Sequence, residues 1–569
     1  MFRFVKSLLL IKRSGIRGIL NVVSFFKRRP PATLKSETFI TESERQVQGN
    51  MSFQKQVKIS LISPLNSTPD EHLKETLDSI IAQTYINWEL CIVGNDNRKT
   101  SGNFSALIQN DSRIKYRELS GQPDISEIIN NCIQMSTGNY IGIVEMGDIL
   151  HPSALFEVIK AICYEDADFI YTDEAVFSNN HNIILKHHKP GFAVDTLRSH
   201  NYINHLAVFN KNMTEKAGAF RNYYDTILRL TDSSSKICHV PMLLYFSRNK
   251  TGSGSCSAGV EAIKDHLKNR NIPAQVESKT GLPGFYRVNY EITEKPLVSI
   301  IIPNKDYIYL LRNCIKSIKE KTTYENYEII IVENNSRKKS TFRYYEELKG
   351  NPKIKIVHWE GNGFNYSKLC NFGAEKAGGQ QLIFLNNDIE IISPSWIEEM
   401  LMYSQRNDVG AVGIKLYYLN GSVQHAGLVL GMKETAGHIY LSESRDAPGY
   451  MAKLQIAQNM SAVTAACIMI KKKVFEEAGF FDPDFCASFN DVDLCLKIRN
   501  AGYLVVWTPY AEAYHLESKS RGYNVTRAKR RLLAHEAELF KTKWKKELSA
   551  GDPYYNRNFS LEKADYSLK

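Results

Sequence analysis

The tripeptide Asn386-Asn387-Asp388 follows directly on the apolar run Leu382-Ile383-Phe384-Leu385. A hard divalent ion such as Mg2+ or Mn2+ takes oxygen ligands, keeps several waters, and is held by one or two carboxylates together with a substrate's phosphates. One Asp between neutral neighbours at the end of a buried strand is such a half-site, although an Asp in that place also forms turns or caps helices. Two other apolar runs end in polar clusters: Val298 to Pro303 leads into Asn304-Lys305, and Tyr327 to Val332 into Glu333-Asn334-Asn335-Ser336. Asp491 and Asp493 open a helical run through Leu494, Cys495 and Leu496, where Asp also favours the helix dipole.

Apolar on both faces and alternating with helical stretches, such runs predict parallel strands covered on both sides, with ligands beyond their carboxyl ends. The pattern occurs twice. Lys58-Ile59-Ser60-Leu61-Ile62-Ser63-Pro64 aligns with Leu297-Val298-Ser299-Ile300-Ile301-Ile302-Pro303, and the same offset carries Tyr85, Glu89 and Val93 onto Tyr324, Glu328 and Val332. Two residues further out of step, Gly138 meets Gly379, and Val144-Glu145-Met146-Gly147 meets Leu385-Asn386-Asn387-Asp388. The chain therefore divides into a segment 1–29, a linker 30–54, one copy at 55–290, a second at 296–545, and a tail 546–569.

The net charge of +11 belongs mostly to the start of the chain, where nine cations from Arg3 to Lys35 precede the first acid, Glu37. The remainder is nearly neutral, which excludes a groove tracking nucleic acid. Residues 1–29 mix those cations with Phe, Leu, Ile and Val, but the longest uncharged run, Gly18 to Phe26, is too short to span a bilayer. A cationic apolar helix of this kind suits the headgroup layer of an anionic leaflet. Ten scattered cysteines without a CxxC pair read as reduced thiols and fit a cytoplasmic protein, peripheral on the cytoplasmic membrane.

Val298 to Pro303, Leu385-Asn386-Asn387-Asp388, Gln424-His425-Ala426-Gly427, Ser461 to Cys467 and Phe489-Asn490-Asp491-Val492-Asp493-Leu494-Cys495-Leu496 together resemble the family 2 glycosyltransferases. The likeness runs from about residue 55 to 560 and is strongest to the two-copy bacterial enzymes of surface polysaccharide synthesis, including rhamnosyltransferases. It implies an α/β fold of two tandem GT-A domains, Rossmann-like with mostly parallel central sheets. It also implies transfer of a hexosyl or deoxyhexosyl unit from a nucleotide-diphospho-sugar to a saccharide hydroxyl, with inversion, on a lipid-linked acceptor. By the same resemblance Pro303, Asn304, Asn335, Asn386 and Asn387 hold the donor, and Glu333 replaces an Asp that contacts its base or ribose. Asn386-Asn387-Asp388 stands for the family's Asp-x-Asp motif. Asp388 and His515 would then hold the divalent metal, and Asp491 would be the catalytic base. Arg521 would meet the diphosphate, while His425, His438 and Trp396 would line the sugar or acceptor pocket; packing is the simpler role for Trp396.

The first copy departs from this pattern. Gly94 stands where the second has Glu333, Gly147 stands for Asp388, and Tyr223 lies near the place of Asp491. A phenol, with a reference pKa near ~10, is a poor base at neutral pH. The expectation is a degenerate first copy beside a catalytic second. The alternative is a noncatalytic scaffold of the same fold. A nucleotidyltransferase is disfavoured, since Asn304-Lys305-Asp306-Tyr307 is not a Gly-rich phosphate loop.

Overall fold

A computed structural model describes residues 32–65, 68–94, 111–248, 256–516 and 526–569; segment 1–29 and Arg521 lie outside the described residues. In the first copy, β1 (Ile59–Leu65), β2 (Trp88–Gly94), β3 (Ile114–Glu118), β4 (Tyr140–Ile143), β5 (Ile149–Leu150), β6 (Phe169–Phe177), β7 (Ile183–His187), β8 (Ala207–Asn210) and β9 (Ile237–Arg248) form one sheet. Its order is β3-β2-β1-β4-β8-β6-β9-β5, with β7 added on β6. The β3-β2-β1-β4 half is parallel, and β8 then runs antiparallel to its neighbours. A hairpin of β10 (Ala274–Ser278) and β11 (Tyr286–Tyr290) closes the copy.

The second sheet repeats the plan. β12 (Val298–Asn304), β13 (Tyr327–Glu333), β14 (Ile354–His358), β15 (Gln381–Leu385), β16 (Ile389–Ile391) and β17 (Val409–Tyr417) are followed by β18 (Val423–His425), β19 (Leu428–Leu430), β20 (Ala436–His438), β21 (Gln458–Asn459), β22 (Cys467–Lys471) and β23 (Leu504–His515). The sheet order is β14-β13-β12-β15-β22-β17-β23-β16. β1 and β2 are buried at every position, as β-branched runs without a polar face must be.

The duplication extends to single hydrogen bonds. Ser60 Oγ donates to Glu89 and accepts from Gly138 N at 2.8 Å; Ser299 Oγ does the same with Glu328 and Gly379 N, also at 2.8 Å. Leu150 N donates to Ser79 Oγ at 3.2 Å, and Ile391 N to Ser317 Oγ at 3.0 Å. These anchors equate Gly147 with Asp388. Because β5 pairs Leu150 with Tyr245 and β16 pairs Ile391 with Ala513, they also equate Ser247 with His515.

The copies are joined through buried polar contacts. Asp195 is paired with Arg406 and exchanges hydrogen bonds with Asn459, accepting from Nδ2 at 2.7 Å and donating its backbone N–H to Oδ1 at 2.8 Å. Residues 546–569, expected as a tail, are built into this junction. Gly191 N donates to Pro553 O at 2.7 Å, buried Asn556 donates to Asp173 and to Lys189 O, and Leu430 N donates to Asp552 Oδ2 at 2.8 Å. Among the described residues no helix is long and apolar enough to cross a membrane.

Candidate active site

Asp388 lies at the turn between β15 and β16, and His515 ends β23, opposite β16. Antiparallel pairing brings His515 Nε2 to 3.3 Å from Asp388 Oδ1. Gln424 Oε1 accepts from His515 Nδ1 at 2.7 Å, and Asn386 Nδ2 donates to Nε2 at 3.3 Å. With Nδ1 protonated, Nε2 carries the lone pair, here taken up by the Asn386 amide, and this is the tautomer a metal ligand needs. Two ligands in cis positions with bonds of about 2.1 Å lie roughly 3 Å apart, so this carboxylate–imidazole pair fits a small divalent ion.

Asp491 stands in the first turn of the helix Asn490–Asn500, where Oδ1 accepts from Val492 N at 3.0 Å and Oδ2 from Ala465 N at 3.2 Å. The next residue, Ala466, accepts at its carbonyl from Asn386 N. The loop Thr464-Ala465-Ala466 thus ties Asp491 to the turn that carries Asp388. Phe489, the residue before this helix, is held at φ 60°, a left-handed conformation that costs a non-glycine residue and recurs where structure positions function. The approach to Asp491 is braced by Glu536, whose buried carboxylate accepts from the backbone N–H groups of Cys486 (2.6 Å), Ala487 (3.1 Å) and Ser488 (2.8 Å). Asp493 faces the interior, bonded to Trp544 Nε1 at 2.9 Å and paired with Lys543 at 2.7 Å.

Beyond the ends of β12 and β15 opens a cavity of about 410 Å3. Pro303, Asn304, Asn386 and Asn387 line its floor, Phe364 and Tyr366 one wall, and Lys529, Leu532 and Leu533 of the helix Arg527–Lys543 another. Under the floor runs a chain of hydrogen bonds. Asn387 Nδ2 donates to Asn304 Oδ1 at 2.7 Å, Asn304 Nδ2 to Tyr345 OH at 2.8 Å, and Tyr345 OH to Glu333. Glu333 also accepts from Ser336 Oγ at 2.8 Å and is 3% exposed, so its carboxylate braces this network rather than facing the cavity. Asn334 reaches the cavity instead, while Asn335 is exposed and donates to Gly361 O at 2.9 Å.

Trp396 is an interior residue and not a pocket wall: it is fully buried, with its indole N–H on Thr322 Oγ1 at 2.9 Å. His425 is likewise buried. Its Nε2 accepts from Thr464 N at 3.3 Å and its Nδ1 lies 2.9 Å from His438 Nδ1. Burial, followed by the neighbouring His438 and His515, pushes its pKa well below the usual value, so a neutral ring holds the loop that Asp491 also holds. His438 is half-buried beside it. Gln424 stands in the motif Gln424-His425-Ala426-Gly427, but its contact with His515 is not legible there. Glu536, Tyr345, Phe364 and Lys529 carry no local signal; Glu536 acts as far as 50 positions away, and Tyr345 on Glu333 and Asn304, 12 and 41 positions back.

In the first copy the equivalent place is closed. His205 lies between Glu145 (Nε2 to Oε1, 3.5 Å) and Glu174 (Nδ1 to Oε2, 3.4 Å), with its ring stacked on Tyr245 at 4.8 Å. Burial alone would lower its pKa, but Glu145 and Glu174 raise it to about 9, so the ring is a cation. Asp148 accepts from Tyr245 OH at 2.7 Å and Arg248 N at 3.0 Å. The ligand atoms of Glu145, Asp148 and His205 lie within 4.8 Å of one another. The positive charge there is nevertheless already supplied by protonated His205.

The family model described as Glycosyl transferase family 2 matches residues 65–228 and 299–479, one stretch in each copy. An uncharacterised protein of Sinorhizobium fredii is 37% identical over 538 residues, and the O-antigen biosynthesis protein RfbC of Myxococcus xanthus is 33% identical over 534. Each alignment covers 90% of this chain but 58% and 41% of those relatives' own lengths. Among solved structures, GalNAc-T7 with UDP, GalNAc and Mn2+ is similar with a TM-score of 0.37 and 15% identity, over 47% of this chain and 52% of that one. With the family model matching more than half its length, the chain belongs to glycosyltransferase family 2 and carries two GT-A units in tandem.

Proposed function

We propose that the second copy moves a sugar from a nucleotide-diphospho-sugar to a hydroxyl of a saccharide acceptor. The observation that carries this reading is the linkage of Asp388, His515 and Asp491 through the loop 464–466 and Asn386, beside the cavity that Asn386 and Asn387 line. The nucleoside would lie in that cavity against Phe364 and Tyr366, with Lys305 and Lys529 near its phosphates. Asp388 and His515 would hold a divalent ion, which when bound neutralises charge on the leaving nucleoside diphosphate. Asp491 takes the proton from the attacking hydroxyl. One displacement of this kind inverts the anomeric carbon.

The relative named for O-antigen biosynthesis supports a surface polysaccharide, and a lipid-linked acceptor at the inner membrane surface would suit the basic, apolar composition of segment 1–29. The first copy, with Gly94, Gly147, Ser247 and Tyr223 in the corresponding places, acts as a support or as an acceptor-binding unit. The test is a donor screen on purified protein with and without Mg2+ or Mn2+, scored by release of nucleoside diphosphate. Metal-dependent release with one donor is expected. Release with none, or release indifferent to chelation, would sink the reading.

A further inference from the structure

The mouth of the second copy's cavity carries more exposed charge and more exposed apolar surface than one nucleotide uses. On one side Arg337, Lys338 and Lys339 are exposed at the start of the helix Lys339–Leu348; on the other, Arg527, Arg530 and Arg531 are exposed on the first turns of Arg527–Lys543. No acid occurs within residues 335–343 or 526–535. Asp306, which lines the cavity beside them, accepts from the backbone N–H groups of Arg337 and Lys338.

Both groups border the same opening. The cavity is lined by Lys305 and Tyr307 on one side and by Lys529 and Leu532 on the other, and Lys338 Nζ stands 5.5 Å from the centre of the Tyr307 ring. Between the cations, Tyr307, Tyr309, Phe364 and Leu532 are exposed to 40, 51, 44 and 37%. A diphosphate needs two or three cations, and a base needs one or two rings. Tyr309, Arg337, Lys339, Arg527, Arg530 and Arg531 do not line the cavity and exceed that need.

Clustered Lys and Arg with amphipathic rings among them match the chemistry of a bilayer surface, where anionic headgroups take the cations and rings sit at headgroup depth. We propose that this rim docks on an anionic phospholipid surface and seats the cavity mouth at the headgroup plane. The docking face belongs to the folded second copy and is separate from segment 1–29. The count of excess cations and rings rests on the nucleotide proposed for this cavity, whereas vesicle binding is read apart from turnover.

The test uses the full chain with vesicles of phosphatidylcholine alone or mixed in equal parts with phosphatidylglycerol, scored by cosedimentation. Each cation near such a surface contributes about 5-fold in affinity, so the triple variant Arg527→Glu, Arg530→Glu, Arg531→Glu is expected to bind the mixed vesicles about 100-fold more weakly. A control of equal charge change away from the rim, Lys264→Glu, Lys316→Glu, Lys473→Glu, should bind nearly as the wild type does. Tyr309→Ser, which leaves every charge in place, should weaken binding several-fold. Equal losses in the rim and control variants, an unaffected rim variant, or equal binding to both vesicle types would overturn the proposal.

Discussion

The two copies share a sheet order, a set of Ser–Glu–Gly anchors and a register, and differ at the few places where the second carries the Asp388 and Asp491 carboxylates and the His515 imidazole. Gly147, in the turn before β5, stands for Asp388 in the turn before β16, and Ser247 on β9 stands for His515 on β23. His205, half-buried between Glu145 and Glu174, supplies a positive charge at neutral pH, whereas in the second copy Asp388 and His515 are proposed to hold a metal ion. The first copy thus keeps the anchors and the apolar strands while its strand ends carry other polar contacts, such as Tyr245 OH to Asp148 at 2.7 Å.

The strongest way to break the comparison is to separate its halves. Arg406→Leu removes the nearer of the two guanidinium partners of buried Asp195, leaving Arg198 at 3.8 Å, and should cost about 3 kcal/mol in denaturant unfolding. Glu536→Ala leaves three backbone donors near Asp491 without their acceptor; a loss of about 2–3 kcal/mol is expected by the same measurement. Gln424→Leu frees the His515 tautomer and should weaken Mn2+ binding, followed by electron paramagnetic resonance, by about 10–100-fold. The smallest effect belongs to the first copy. His205, raised to about 9, stabilises that copy fully below the ordinary His value and loses this contribution as pH rises through about 9. Melting followed from neutral to alkaline pH should fall in the wild type by the equivalent of about 1–2 kcal/mol, and His205→Gln should flatten that fall.

The duplication was legible in the sequence because strand starts, Gly138 and Gly379, and the Ser60 and Ser299 anchors recur at nearly constant spacing. The parallel half of each sheet followed from apolar runs without a polar face. Placing Asp388, Asp491 and His515 together needed the resemblance as well, since 127 positions separate the outermost two and no periodicity links them. What stayed hidden was long-range and individual. Glu536 reaches back 50 residues to Cys486, and Tyr345 takes up the carboxylate of Glu333. The end of the chain, which reads locally as a polar tail, inserts Asn556 among buried partners in the first copy.

A single reacting centre in the second copy is tested most directly by the rate of nucleoside diphosphate release from an accepted donor in two variants measured side by side. Asp491→Asn should lose about 10²–10⁴-fold in rate while keeping donor affinity, and Glu145→Gln in the first copy should turn over as the wild type does. Normal turnover by Asp491→Asn, or loss of turnover by Glu145→Gln, would contradict the assignment of the chemistry to the second copy.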